Sequence, residues 1–338
     1  MFLRPTSLRT ATRQAAAAVA VTLTTIASLA APALAEDSVT FRVFASRGGI
    51  EPHLLADKLG YYEGTPVKLE SIGYSSGGPE SLMAVAGGSA DVGSAATAAV
   101  LNSIAAGNDF VLAYPSNGIN AEAQSHFYVL EDSDVKSVAD LKGKTIAVNT
   151  LGAHLDYTVR EALAQNGLKP GDVNLVTVPG PQLEQTLRAG QIDVAAIGYW
   201  QTTFDGKIHE GGGVREVFND TDILGEIAGG FITLDRTFTQ EHPEATRAFI
   251  DGAIRAADWS REHPDEAKKV FAEILEVRGE PPELAQYWRG FGLRAGAEPQ
   301  PRDVTFWIER LESEGSIPAG KLDPAKLLAP VTASAAKS

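Results

Sequence analysis

Residues 74–96 read YSSGGPESLMAVAGGSADVGSAA, and a shorter echo stands at 181–195, PQLEQTLRAGQIDVA. A constant offset of 102 pairs Pro79 with Pro181, Gly88 with Gly190, Asp91 with Asp193 and Val92 with Val194. In each copy a proline opens a helix in its first turn, where a missing N–H costs nothing, and a glycine closes it with a left-handed cap. A short apolar strand follows, Ala90–Gly93 in one copy and Ile192–Ile197 in the other. The repeated unit predicts two α/β lobes, each a mainly parallel sheet flanked by helices. Ligands of such sheets bind beyond the carboxyl ends of the strands, where helix N-termini point, so the groove between the lobes is the predicted site.

Working outward, the 338 residues suffice for about two domains. A formal charge of −14 repels nucleic acid and anionic membrane surfaces, so neither is an expected partner. Arg4, Arg9 and Arg13, the apolar run Ala15–Leu29 and the small-x-small triplet Ala33-Leu34-Ala35 predict a secretory leader over 1–35, cleaved near Ala35. That run is short for a bilayer span of ~20 residues and no later stretch reaches the length, which predicts no membrane insertion. The chain has no cysteine, which excludes disulfides, thiolate metal sites and lipid attachment through a thiol. A soluble, exported, periplasmic monomer is expected.

Strands are predicted at Val39–Ala45, Val67–Ile72 and Phe110–Tyr114 beside the repeated one, each leaving through a small or hydroxylated turn. The pattern breaks at Pro115–Gln124, read as the first crossing between lobes, and at Gly229-Gly230-Phe231, read as the second. Lobe 1 would then hold 36–125 and 230–322, and lobe 2 would hold 126–229. Glu241-His242-Pro243 recurs as Glu262-His263-Pro264, each opening a helix with acids near its positive end. The tail, 323–338, is rich in Ala, Lys and Pro and is expected to be loose.

Several stretches together resemble the periplasmic substrate-binding proteins of ABC importers in the nitrate, sulfonate and taurine family. They are FRVFASRGG (41–49), ADKLGYYEG (56–64), GGPESLMAVAGGSADVGSAA (77–96), VKSVADLKGKTIAVNTLGAH (135–154) and HPEATRAFIDGAIRAADWSREHPDEAKKVFAE (242–273). The resemblance implies the type II binding-protein fold, in which the chain crosses twice between lobes that close on a ligand by hinge motion. It also implies delivery to a permease and ATPase complex in the inner membrane. Sulfonate-type relatives tend to carry Trp-Asp-Pro where this chain reads Gly198-Tyr199-Trp200-Gln201, and an uncharged amide where it has Arg47; both differences point away from a simple alkyl sulfonate.

The candidate binding residues follow the strand exits. Arg47 with Gly48 and Gly49 stands at the first, where a guanidinium suits a bidentate grip on carboxylate or sulfonate. Tyr74, Ser75 and Ser76 form the second exit, Ser94, Ala95 and Thr97 the third, and Ser116 with Asn117 the fourth. Asn149, Thr150, Gly152 and His154 are the matching turn of lobe 2, and Tyr199 and Trp200 follow its repeated strand. Each hydroxyl could equally cap a helix, His154 could serve packing, and the rings could be core.

No G-x-S-x-G, H-E-x-x-H, phosphate loop or dinucleotide glycine pattern occurs, and His53, His126, His209, His242 and His263 have no metal-ligand spacing. No catalysis, cofactor or metal is therefore expected. The leading reading is a receptor for a small organic anion, a sulfonate, a taurine-like compound or a carboxylate. Its rivals are a same-fold receptor for an aromatic heterocycle such as a thiamine-pyrimidine precursor, for which Glu51 and Glu122 are the acids to test, and an exported enzyme on the same scaffold.

Overall fold

The structure is a computed structural model that describes residues 38–329; the leader expected at 1–35 and the end of the tail lie outside the described residues. The first lobe opens with β1 (Val39–Ala45), α1 (Pro52–Lys58), β2 (Val67–Tyr74), α2 (Gly78–Ala86), β3 (Val92–Ala96), α3 (Thr97–Ala105) and β4 (Phe110–Ile119). The second holds β5 (His126–Leu130), β6 (Thr145–Val148), α4 (His154–Gln165), β7 (Asn174–Thr177), α5 (Gly180–Arg188), β8 (Val194–Ile197), α6 (Thr202–Gly211), β9 (Val214–Asn219) and α7 (Asp220–Leu224). The chain then returns through β10 (Ile227–Asp235) to α8 (Arg236–Glu241), α9 (Pro243–Glu262), α10 (Pro264–Val277) and α11 (Arg302–Ser313).

The sheets are mixed, not mainly parallel. β1 pairs parallel with β2, while β10 lies between β3 and β4 and runs antiparallel to both. In the order β7-β6-β8-β5-β9, β6 is parallel to β7 and β8, and β5 is antiparallel to β8 and β9. The reason is the double crossing. β5 and β10 arrive from the opposite lobe without a crossover helix, so each enters its sheet in the reverse sense.

The repeat is structural down to its hydrogen bonds. α2 and α5 begin at Gly78 and Gly180, and Gly88 and Gly190 follow them with φ of 70° and 67°, the left-handed region that favours glycine. Asp91 then accepts from the Arg42 N–H at 2.8 Å while its own N–H donates to the Arg42 carbonyl at 3.0 Å. Asp193 does the same to Thr145, at 2.7 and 2.9 Å. Each aspartate thereby locks its strand to an earlier strand of its own lobe, β3 to β1 and β8 to β6. Asp91 also holds the Arg42 guanidinium through two bonds of 2.8 and 2.7 Å. Asp91→Ala should therefore cost about 2 kcal/mol and Asp193→Ala about 1 kcal/mol. Urea titration of both variants checks this, and equal losses would contradict the extra role of Arg42.

Outside the cleft, α9 lays Phe249 flat on Phe41 of β1, with ring centroids 4.6 Å apart and 6° between planes, and Tyr62, His53 and Tyr114 pack around the same ring. The sheet of lobe 2 is buried on both faces, by α4 on one side and by α5 and α6 on the other. Two predicted boundaries move. β4 runs on through Pro115 to Ile119, because the missing N–H of Pro115 falls where the register with β10 already shifts. The start of the tail is not loose: the Leu112 N–H donates to the Leu327 carbonyl at 2.8 Å and the Ala329 N–H donates to the Leu112 carbonyl at 2.9 Å. Those bonds cover the outer edge of β4, whose backbone groups would otherwise stay unpaired.

Candidate binding cleft

The strand exits of both lobes surround one cavity of about 840 Å³, within the range typical of small-molecule sites. Lobe 1 contributes Ser46, Arg47 and Gly49 after β1, Tyr74, Ser75 and Ser76 after β2, Ser94 and Ala95 from β3, and Ser116 and Asn117 from β4. Lobe 2 contributes Asn149, Thr150 and His154 between β6 and α4, Pro179 to Gln182 at the start of α5, and Tyr199, Trp200, Gln201 and Phe204 after β8. The two copies of the repeat thus meet here, since Gly78 and Gly180, the first residues of α2 and α5, both border the cavity. The lobes also touch away from its lining, where buried Thr203 Oγ1 donates to the Gly48 carbonyl at 2.9 Å.

Three of the predicted residues stand off the cavity. Gly48 is spent on a buried contact between lobes: its N–H donates to Glu280 at 2.6 Å and its carbonyl accepts from Thr203. Thr97 is buried and directs its hydroxyl at the Ala228 carbonyl at 3.4 Å. Gly152 makes a turn with φ 71° and donates its N–H to Asp156 at 2.7 Å, a backbone task. Ser76 does border the cavity, yet its hydroxyl and N–H both bond the Glu80 carboxylate, at 2.5 and 2.6 Å. That acid holds the N-terminal end of α2 for itself, and those bonds keep its carboxyl below the usual carboxylate range.

The remaining candidates are placed as follows. Arg47 is exposed and lies with its guanidinium 4.2 Å from the centre of the Tyr74 ring. The Tyr74 hydroxyl turns away to the Arg278 carbonyl and to Glu280, at 3.4 and 3.3 Å. Asn149 donates to Thr150 at 3.3 Å. His154 is fully buried; its Nε2 meets Asp220 at 2.8 Å, and the rings of Tyr199 and Trp200 stand edge-on to it. Gly229 of β10 gives Tyr199 its place, because a Cβ there would lie 2.3 Å from the phenol ring. Glu122, the second acid of the heterocycle reading, sits on an exposed turn away from the cavity.

Lining residues that went unread as part of the site in the leading reading include two titratable ones in lobe 1. Glu51 and His53, both buried, border the cavity on the lobe 1 side. Glu51 accepts from Ser46 Oγ at 2.6 Å, and burial pushes its carboxyl above the ordinary range. His53 Nδ1 meets the Tyr114 hydroxyl at 3.0 Å; burial, helped by the charge of Arg278, lowers its ring to about 3 and keeps it neutral. Four buried polar atoms of residues that border the cavity have no partner in the protein: Glu51 Oε2 and His53 Nε2 in lobe 1, Asn149 Oδ1 and His154 Nδ1 in lobe 2. Among the described residues, no group of three or more His, Cys, Asp and Glu could hold a metal ion, and no helix is long and apolar enough to cross a membrane.

A family model described as NMT1/THI5 like matches residues 49–267, which include the lobe 2 rim and much of the lobe 1 rim. The chain belongs to the NMT1/THI5-like family. This NMT1/THI5-like chain is 25% identical over 235 residues to a protein of Bacillus subtilis (strain 168) named as an aliphatic sulfonates-binding protein, covering 68% of each chain. Its fold matches the periplasmic aliphatic sulphonate binding protein SsuA of Escherichia coli, with TM-score 0.66, 21% identity and 86% and 92% of the two chains covered. Taurine- and nitrate-binding periplasmic proteins are also among its relatives and fold neighbours. The desulfurization enzyme DSZB has the same fold at TM-score 0.63 and 14% identity, over 88% of this chain and 99% of that one, so the scaffold also carries catalysis elsewhere.

Proposed function

We propose that this NMT1/THI5-like protein is the periplasmic receptor of an ABC importer, which traps a small organic anion between its lobes and delivers it to a permease and ATPase complex. The observation that carries the reading is the single cavity enclosed by the facing copies of the repeat, with the starts of α2, α4 and α5 around it. Helix starts supply fixed partial positive charge, most of it from α5, because Glu80 already occupies the start of α2 and Asp156 stands in the first turn of α4. Arg47 adds a full charge at the rim, and Phe44, Tyr74, Tyr199, Trp200 and Phe204 supply apolar walls for an organic tail. No chemistry is assigned to the site; capture and release are its work.

Release requires the lobes to part. The Thr203 to Gly48 bond is then a closed-state contact that breaks as the lobes hinge apart. Small-angle scattering with and without ligand tests this, since an envelope that never changes would contradict hinge closure.

The experiment for the anion reading is a thermal-shift screen of sulfonates, carboxylates and heterocycles, followed by titration of the hits into wild type and Arg47→Ala. Loss of the charged grip should weaken binding by about tenfold, equivalent to about 1.4 kcal/mol. The melting temperature of the empty variant should hardly move, because the exposed guanidinium contributes at most a weak contact with the Tyr74 ring. Equal affinity in both proteins would end the assignment of Arg47.

A further inference from the structure

The start of α5 is left open on the cleft: no side chain caps it, and no acid stands in its first turn. Of its first three residues, Pro181 has no N–H and Gln182 gives its N–H to the Pro179 carbonyl at 2.9 Å, so Gly180 holds the donor that is not already bonded. Gln201 comes up against that donor from the turn after β8. Its backbone N–H donates to the Gly198 carbonyl at 2.7 Å and its Oε1 accepts the Gly198 N–H at 3.2 Å, which fixes the amide and turns Nε2 the other way. Only 8% of Gln201 is exposed, and no described residue accepts a hydrogen bond from Nε2. Unlike Glu51 Oε2 and His53 Nε2, this nitrogen is not sealed from solvent. A Cβ on Gly180 would lie 2.1 Å from it, so glycine at 180 is what lets the amide close on the helix start.

We propose that Gln201 is the specificity-determining residue of this cleft and that, with Gly180, it selects carboxylates: Nε2 and the Gly180 N–H each donate to one oxygen of the solute. The inference rests on the receptor reading above and narrows its organic anion to a carboxylate. The positive end of α5 favours the charge. Two donors meet the two oxygens of a carboxylate. A sulfonate brings a third oxygen to a helix start where Pro181 has no N–H to give, and that oxygen loses water without gaining a partner. Arg47, in lobe 1, suits either head and leaves the choice to lobe 2. Phe204, whose ring would lie 3.4 Å from the same Cβ on Gly180, walls the site for the carbon chain behind the head.

Matched pairs test this. Pentanoate against butane-1-sulfonate, and benzoate against benzenesulfonate, are titrated calorimetrically into wild type, Gln201→Glu and Gly180→Ala. In every pair that binds wild type, the carboxylate should be tighter by about tenfold or better. Gln201→Glu keeps the acceptor for the Gly198 N–H but turns the donor into a second anionic oxygen, so carboxylate binding should fall by about a hundredfold or more. Gly180→Ala leaves every hydrogen-bonding group in place and pushes the amide off the helix start, which should weaken carboxylates by about tenfold. Both empty variants should melt near the wild-type temperature, since neither removes a hydrogen bond that the fold uses; if Gln201→Glu failed to fold, Gly180→Ala would carry the test. A sulfonate that binds wild type as tightly as its carboxylate partner overturns the selectivity, and unchanged carboxylate affinity in a folded variant overturns the role of Gln201. Either result leaves the receptor reading standing. If no carboxylate or sulfonate binds wild type at all, the organic-anion reading itself fails, and this inference with it.

Discussion

Acidification from neutral pH is expected to remove about 5 kcal/mol of stability through His53 alone, spread between about pH 6.5 and about 3. The folded ring titrates near 3 and the unfolded one near 6.5, so over that interval the unfolded chain binds the proton more readily. Stability is therefore complete above the unfolded value and is lost as pH falls towards the folded one. The cause is burial beside Arg278, with the ring packed against Phe249 and tied to Tyr114. Glu51 works in the opposite sense: its raised value means that acid relieves a buried charge. Carboxylates held low by partners, such as Glu216 beside His126, lose stability on acidification as well, but equally in any His53 variant. Denaturant midpoints of wild type and His53→Gln at pH 7, 5 and 4 isolate the effect. The variant should lose much less stability over that range, and parallel curves would refute the assignment.

Asp220→Ala should destabilise the fold by about 2 to 4 kcal/mol, the cost of removing a buried carboxylate and leaving its two hydrogen-bond partners unmet. Asp220 has no exposed surface. One oxygen accepts the Ser125 N–H at 2.8 Å, the other meets His154 Nε2 at 2.8 Å, and the Asp220 N–H donates to the Ser125 carbonyl at 3.0 Å. Ser125 lies just before β5, at the first crossing, and its Oγ accepts the Tyr199 N–H at 3.1 Å. One carboxylate thus ties the crossing, the start of α4 and, through Ser125, the aromatic wall of the cleft. Alanine would strand the Ser125 N–H and the His154 ring in the core. Urea unfolding measures the loss, and a change below about 1 kcal/mol would show that these bonds are replaceable. Ligand affinity should fall in parallel, because His154 and Tyr199 both border the cavity.

The amino-acid sequence determined the elements, the repeat and the rim. Proline and glycine act locally, so Pro79 with Gly88 and Pro181 with Gly190 could be read as helix start and stop without any knowledge of the fold, and α2 and α5 follow them. Strand exits are local too, which is why Arg47, Tyr74, Asn149 and Trp200 could be named and are found on one cavity. Other features depend on partners far away in the chain. The antiparallel entry of β10 between β3 and β4 arises from the return crossing, and Leu327 to Ala329 are ordered by an open strand edge more than two hundred residues upstream, at Leu112. Ser76, Thr97 and Gly152 carry the residue types of a binding turn, yet nearby Glu80, Ala228 and Asp156 claim their polar groups. Glu51 and His53 show the converse. Composition makes them a surface acid and a stray histidine, and only packing against Ser46, Tyr114 and Phe249 removes them from water while leaving one buried polar atom of each unpaired.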